Sequence, residues 1–233
     1  MMEKLINLDR KIIIRSFLVF ICFYYSSLLQ YIPVILFNMN IESIRGNMSM
    51  AVLLSCFSSV VFSLILLIIY RDDLVKEFKT FKNNWVKNFD TGFKWYLVGL
   101  VVMMTSNLVL YYVLHSGGAS NENTVQAMIS ASPIFMAVQV CLIAPFNEEV
   151  VFRKTLYDVF KNKWIFIFLS FLLFGEAHVM SSASSLVDYL YIIPYGALGA
   201  AFAMAYSKTK TIFTSMSLHI LHNTCLFLLS VLI

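Results

Sequence analysis

The 233-residue sequence predicts an all-α fold, a polytopic bundle of about seven membrane-crossing helices with a cytoplasmic N-terminus. Three observations carry that prediction. Hydrophobic residues make up 60% of the chain, against roughly 45–50% in an average soluble domain. Mean hydropathy is +0.79. The 17 Lys and Arg and 13 Asp and Glu are clustered, so several long stretches carry no charge and a water-soluble surface cannot be assembled.

Taken in order, the charge-free stretches are 16–37, 47–70, 95–115, 125–147, 189–207 and 211–233. Each is close to the roughly 20 residues a helix needs to cross the hydrocarbon core. A seventh, 164–175, reaches that length by continuing through Glu176 and His178 to about residue 180. The fourth runs long into the Glu148–Lys154 region. The first span lacks an A-x-A-like cleavage site and reads as a retained helix. After the second, Leu74, Phe78, Phe81 and Trp85 recur at helical spacing among Lys76, Lys79, Lys82 and Lys87. That pattern predicts an amphipathic helix over about 72–90, lying in the cytoplasmic interface. No repeat or Pro-rich linker divides the chain. Residues 1–233 therefore read as one membrane domain, with N-terminal spans in 1–124 and the helices that carry the intramembrane ionisable groups in 125–233. Cys22, Cys56, Cys141 and Cys225 sit in four different spans with no C-x-x-C spacing, which suits small membrane hydrophobes better than disulfides or zinc.

Lys and Arg set the orientation. Of the 17, all but Arg45 fall in the N-terminal 15 residues (Lys4 among them) or in alternate loops around 71–94, 153–163 and 208–210, while 116–131 and 181–187 have none. The same asymmetry accounts for the net charge of +4, so no nucleic-acid partner is needed. Frequent Ile, Phe, Lys and Asn with few Gly and Pro suit a low-GC bacterium and its plasma membrane, with the lipid bilayer as a constant partner. The sequence sets no oligomeric state.

Ionisable groups at bilayer depth are expensive and mark function by default. There are seven: Glu148, Glu149, Arg153, Glu176, His178, His219 and His222, all in the C-terminal part of the chain. Glu149 and Arg153, four residues apart, share a helix face and can pair. Glu148 is rotated about 100° away and is left for another task. His219 and Asn223 share a face on the last span. With a turn at about 160–163, Glu148 and His178 lie roughly 18 and 22 Å from the same membrane face, and Asn223 about 19 Å, so the clusters meet at one level. Gly196, Gly199, Ala200 and Ala203 on the sixth span allow close helix approach there.

The pattern Glu148-Glu149-x-x-x-Arg153, Phe174-x-x-x-His178 and His219-x-x-x-Asn223, with Ile143-Ala144-Pro145 ahead of it, resembles the three motifs of the CAAX-protease and bacteriocin-processing family of intramembrane endopeptidases. The resemblance covers roughly 125–225. Lys154 departs from it, standing where the family often has glycine, and His222 adds an imidazole the motif does not require. Read from the residues, Glu148 can act as general base on a water shared with His178, and His219 and Asn223 can donate to the developing oxyanion. Glu149 and Arg153 would hold their helix in rotation, with Phe174 and His222 in support. The resemblance implies the same roles. The substrate it implies is a membrane-associated peptide: a lipidated C-terminal tail, or a bacteriocin- or pheromone-like precursor.

Zinc is an alternative, with Glu148, His178 and His219 as ligands and water in the fourth position. The lack of H-E-x-x-H and the Asn223 amide, a poor zinc ligand, favour a reaction without cofactor. Outside enzymology stand a non-catalytic scaffold or bacteriocin-immunity protein of the same fold and a proton-relaying transporter. The transporter lacks the repeated halves many such folds show.

Overall fold

The computed structural model describes residue 6 and residues 9–114, 119–183 and 185–232. Within them the chain is helical, with one isolated bridge, between Ile6 and Phe160. Lys4 and positions 116–118, used above for orientation, lie outside the described residues.

Helix α1, Arg10–Leu36, starts where the Asp9 carboxylate accepts from Lys11 N at 2.9 Å, and it tightens to a 3-10 turn over Ser26–Gln30. Helix α2, Met48–Asn83, is capped by Asn47 and runs 36 residues. At 1.5 Å per residue that is about 54 Å, well beyond a hydrocarbon core of roughly 30 Å. Helix α3, Trp85–Leu114, follows a break at Asn84. A short α4, Ser120–Ala131, leads into α5, Pro133–Val159. Helix α6, Lys163–Val179, is capped by Asn162. Helix α7, Asp188–Thr209, is followed by Lys210 at φ 57 and by α8, Ile212–Leu232.

Six of these, α1, α2, α3, α5, α7 and α8, are long and apolar enough to cross a membrane. The seventh stretch expected from the sequence is α6, whose 17 residues cover about 26 Å, short of the roughly 30 Å core. Apolar side chains such as Ile35, Ile68, Val101 and Leu232 are turned outward, as a lipid-facing surface requires. The chain is a multi-pass membrane protein.

Two sequence expectations shift. The fourth span was expected over 125–147, yet the helix breaks at Ser132 (φ −153, ψ 69) and restarts at Pro133. Proline has no N–H to donate and pushes the preceding residue out of the helical region. The interfacial helix expected over 72–90 is not a separate element: 72–83 continue α2 and 85–90 open α3. Part of its apolar side meets protein: Leu74 is buried, and Phe78 and Phe81 sit 5.1 and 6.2 Å, ring to ring, from Phe213 of α8, whereas Trp85 is exposed.

Helix α7 is the hub. It packs along both α3 and α6, and its small residues explain the closeness. A Cβ on Gly199 would come within 2.8 Å of Ser170 O, and one on Gly196 within 2.8 Å of Phe171 O, both carbonyls of α6. On the other side Gly99 of α3 lies against Ala201.

Lysines and arginines gather at one end of the bundle, where an ion network ties four helices. Arg15 of α1 contacts Asp158 of α5 at 2.6 Å and Asp73 of α2 at 3.5 Å. Lys154 lies 2.6 Å from Asp158, 3.4 Å from Asp73 and 3.8 Å from Glu77. Glu77 accepts from Ile212 N at 2.7 Å and from the Tyr206 hydroxyl at 3.0 Å, so α2 caps the start of α8. Tyr70 and Thr155 share a 2.7 Å hydrogen bond in the same layer.

Candidate active site

Helix α5 carries the first motif between two π-helical turns, Gln139–Ile143 and Val150–Thr155. Such turns hold an extra residue and often occur at functional sites. Here they leave Glu148 and Glu149 on a short α-helical piece, Ala144–Glu149. Asn147 fixes that piece against α2, its carboxamide accepting from Ser63 Oγ at 2.7 Å and donating to Ser59 O at 3.1 Å.

Glu149 and Arg153 form the expected pair, Oε2 to Nε at 3.4 Å, with both side chains fully buried. The guanidinium also lies over the Phe174 ring at 4.5 Å and donates to Gly199 O at 3.4 Å. Glu149 has a second partner that helix spacing did not reveal: its Oε1 is 3.0 Å from Nδ1 of His219. A carboxylate only accepts, so Nδ1 carries the hydrogen.

Glu148 points the other way. Its Oε2 makes no hydrogen bond and lies 3.9 Å from Nε2 of His178 and 3.7 Å from Nε2 of His219. The Nδ1 of His178 is 2.8 Å from Phe174 O, a pure acceptor, so this ring too carries its hydrogen on Nδ1. With both rings neutral, two lone pairs and a carboxylate oxygen converge on one point. A water can donate to two of these three acceptors, and separations beyond 3.5 Å are those at which a bridging water belongs.

Aromatic rings fix both imidazoles. His178 lies between Phe174, at 4.4 Å, and Tyr195 of α7, stacked at 4.7 Å. His219 stacks on Phe202 of α7 at 4.9 Å and meets the edge of Phe174 at 5.7 Å. Asn223 is one turn beyond His219, and its Nδ2 donates to Val140 O at 2.8 Å, in the upper π-helical turn of α5. One of its two N–H groups is thus spent on holding α8 to α5. His222 faces away from the cluster toward α3, with Nδ1 3.2 Å from the Tyr96 hydroxyl. Glu176 receives the Tyr24 hydroxyl of α1 at its Oε2.

The structure therefore brings Glu148, Glu149, Arg153, Phe174, His178 and His219 together, and sets Asn223 at their margin and His222 apart. Reading the sequence missed Tyr195, Phe202 and Tyr96. A signal for the first two was present: Tyr195 directly precedes the small-residue run from Gly196 to Ala205, and Phe202, two turns on, is a bulky residue within it. Lys154, where the resemblance led one to expect glycine, is explained by its three carboxylate partners. Among the described residues no group of three or more His, Cys, Asp or Glu is arranged to hold a metal ion. A broad groove along α3 and Ile193 of α7, lined by Val101, Thr105 and Val109, carries no ionisable group and does not compete for the role of site.

Comparison with known proteins follows the same residues. The family model described as type II CAAX prenyl endopeptidase Rce1-like matches residues 130–225. Over that segment the chain is similar to type II CAAX prenyl endopeptidases. The matched segment runs from the end of α4 to Cys225 and holds all three motifs. A putative membrane peptidase, YdiL of Bacillus subtilis, is 27% identical over 154 residues, 63% of this chain and 59% of the relative. The membrane-embedded CAAX protease MroQ of Staphylococcus aureus is 32% identical over 143 residues, 55% of this chain and 54% of the relative. The UPF0177 protein YvdC of Lactococcus lactis is 28% identical over 125 residues, 53% and 46%. The chain spans about half the length of the curated relatives it matches. No solved structure matches it.

Proposed function

We propose that the protein is an intramembrane endopeptidase that hydrolyses a peptide bond by a glutamate-activated water, without a metal. The observation that carries this reading is the Glu148 carboxylate oxygen, unbonded and facing two imidazole Nε2 atoms at 3.7 and 3.9 Å. A water held there would pass one proton to Glu148 as its oxygen attacks the carbonyl carbon. Glu148 would then return that proton to the leaving amine as the C–N bond breaks. His178 orients the water through Nε2. His219, its Nδ1–H held by Glu149, lies 3.7 Å from Glu148 through Nε2 and would donate to the oxyanion from that atom after taking up one proton from solvent before the cycle, a proton it keeps throughout. The free N–H of Asn223 is the second donor. Arg153 balances Glu149, so the carboxylate keeps its charge at this depth. The substrate is a membrane-associated peptide, either lipidated or a small precursor. The family match and the peptidase names of the relatives support this reading.

The test is cleavage of a quenched peptide library by the purified protein in detergent, with and without a chelator. General-base removal costs about 10²–10⁴-fold. Glu148→Gln is expected to lose cleavage by that amount, and chelation is expected to leave wild-type cleavage intact. Loss on chelation would point to a zinc enzyme. An activity in cells that survives Glu148→Gln would sink the protease and leave the scaffold.

A further inference from the structure

Along α2, Ser49, Val52, Cys56, Ser59, Ser63, Leu66 and Tyr70 alternate by three and four, so they form one seam on the helix. Its polar members meet the stretch 131–155. Ser49 Oγ donates to Ala131 O at 3.0 Å, and Cys56 Sγ lies 3.8 Å from Phe135 O. Gln139 Nε2 donates to Ser59 Oγ at 2.8 Å, Ser63 Oγ donates to the Asn147 carboxamide at 2.7 Å, and Tyr70 meets Thr155 at 2.7 Å. The two sides differ in length. Ser49 to Tyr70 is 21 residues and Ala131 to Thr155 is 24, over the same stretch of about six turns. The surplus is taken up at Ser132 and in the two π-helical turns of α5. In a plain α-helix Asn147 would stand about 80° round from Gln139. The turn at Gln139–Ile143 lets both reach Ser59 and Ser63, which share a face of α2.

We infer that α2 aims the general base: Ser59 and Ser63, bonded to Gln139 and Asn147, set the rotation of α5 that turns Glu148 toward His178 and His219. Asn147 immediately precedes Glu148 and is buried. The piece it anchors, Ala144–Glu149, is flanked by π-helical turns, so contacts and not a continuous α-helical ladder fix its rotation. Lipid supplies no hydrophobic drive between helices, and hydrogen bonds from Ser, Asn and Gln take that part. A carboxylate about 5–6 Å from the helix axis moves about 1 Å for a rotation of about 10°. A misplacement of about 1 Å costs up to about 10²-fold in rate. Helix α2 lies wholly outside the matched segment 130–225, so side chains that no motif contains complete the site. These four are positioning residues, acting through Glu148. That Glu148 is the base rests on the hydrolase reading above, whereas its rotation rests on the hydrogen bonds to α2.

The experiment compares kcat, KM and melting temperature of full-length variants in detergent. Asn147→Leu keeps the bulk and removes the bonds, and the Ser63 hydroxyl falls back on Ser59 O, 2.9 Å away in its own helix. Its kcat is expected to fall at least tenfold, with KM within twofold and the melting temperature close to wild type. Ser63→Ala should lower kcat likewise, and the double variant should be no slower than the slower single, because both remove one bond. Ser58→Ala is the control: this buried serine of α2 serves Ser26 O of α1, and its loss should leave kcat within twofold. Equal losses at Ser58 and Ser63, multiplying losses in the double variant, or a normal kcat for Asn147→Leu overturn the inference. A second measurement needs no hydrolysis. In protein with its native cysteines replaced, Cys56 by serine, Glu148→Cys and His178→Cys are joined by a short bismethanethiosulfonate. Adding Asn147→Leu should slow that cross-link at least threefold, and an unchanged rate overturns the rotation. If wild type cleaves no peptide, the hydrolase reading falls while the cross-link still decides what α2 does.

Discussion

Glu148 and Glu149 are neighbours in the chain with opposite environments. Glu149 is fully buried between Arg153 and His219, and Glu148 is partly accessible and makes no hydrogen bond at Oε2. Conservative substitutions should separate them. Glu148→Gln removes turnover and leaves the melting temperature in detergent close to wild type, because no partner is stranded. Glu149→Gln strands the buried guanidinium, and breaking a buried pair in this way costs about 3–5 kcal/mol. A clear drop in thermal unfolding temperature is therefore expected alongside lost cleavage. An unchanged melting curve for Glu149→Gln would show that Arg153 finds other support. The division between the two was legible in the sequence, because four-residue spacing to Arg153 and 100° of rotation are enough to draw it. The bond from Glu149 to His219 was not, since it depends on how α5 and α8 pack.

At the scale of the element, α7 decides where the imidazoles stand. Its glycines bring α6 within reach, and its Tyr195 and Phe202 stack on His178 and His219. Gly199→Ala puts a Cβ 2.8 Å from Ser170 O, a backbone atom that cannot swing aside. Overpacking of this kind costs about 1–3 kcal/mol. The variant is expected to melt lower and to cleave about tenfold more slowly, with the loss in kcat, because α6 moves outward with His178. Normal kinetics for Gly199→Ala would mean that α6 yields without displacing the site. The small-residue stripe was readable as a close-packing surface. Where span 4 begins was not: charge alone cannot distinguish 125 from 133, and the decisive residue was Pro133. The stretch 72–90 was not legible as the end of one helix and the start of the next, because its apolar spacing does not mark the break at Asn84.

For the whole molecule, the ion network at the basic end joins α1, α2 and α5 and, through Glu77, the start of α8. It holds Arg15 and Lys154 against Asp73, Glu77 and Asp158. Lys154→Met leaves one cation facing three carboxylates without touching the residues around Glu148. Expected outcomes are a lower melting temperature near neutral pH and a gap to wild type that narrows on acidification. The sign follows from protonation: each carboxylate neutralised as pH falls removes repulsion that only the variant suffers in full. A gap independent of pH would assign the loss to packing of the lysine stem. The six long apolar helices were legible from charge distribution alone, because the bilayer penalises every misplaced charge. The network was not, because its members come from stretches 58 to 143 residues apart.

The π-helical turns of α5 carry one more consequence, and it concerns chain length. Each inserts about one residue beyond the α-helical count and so advances the phase of the helix by roughly 100°. The turn at Val150–Thr155 follows the glutamates, contains Lys154 and precedes Asp158, so a single stretch of backbone addresses two sets of partners that a uniform helix would put out of step. Deleting one residue there would turn Lys154 and Asp158 away from α1 and α2 or swing Glu148 off the imidazoles, and no side-chain substitution could restore both. Along this helix the number of residues is as much a part of the site as their identity.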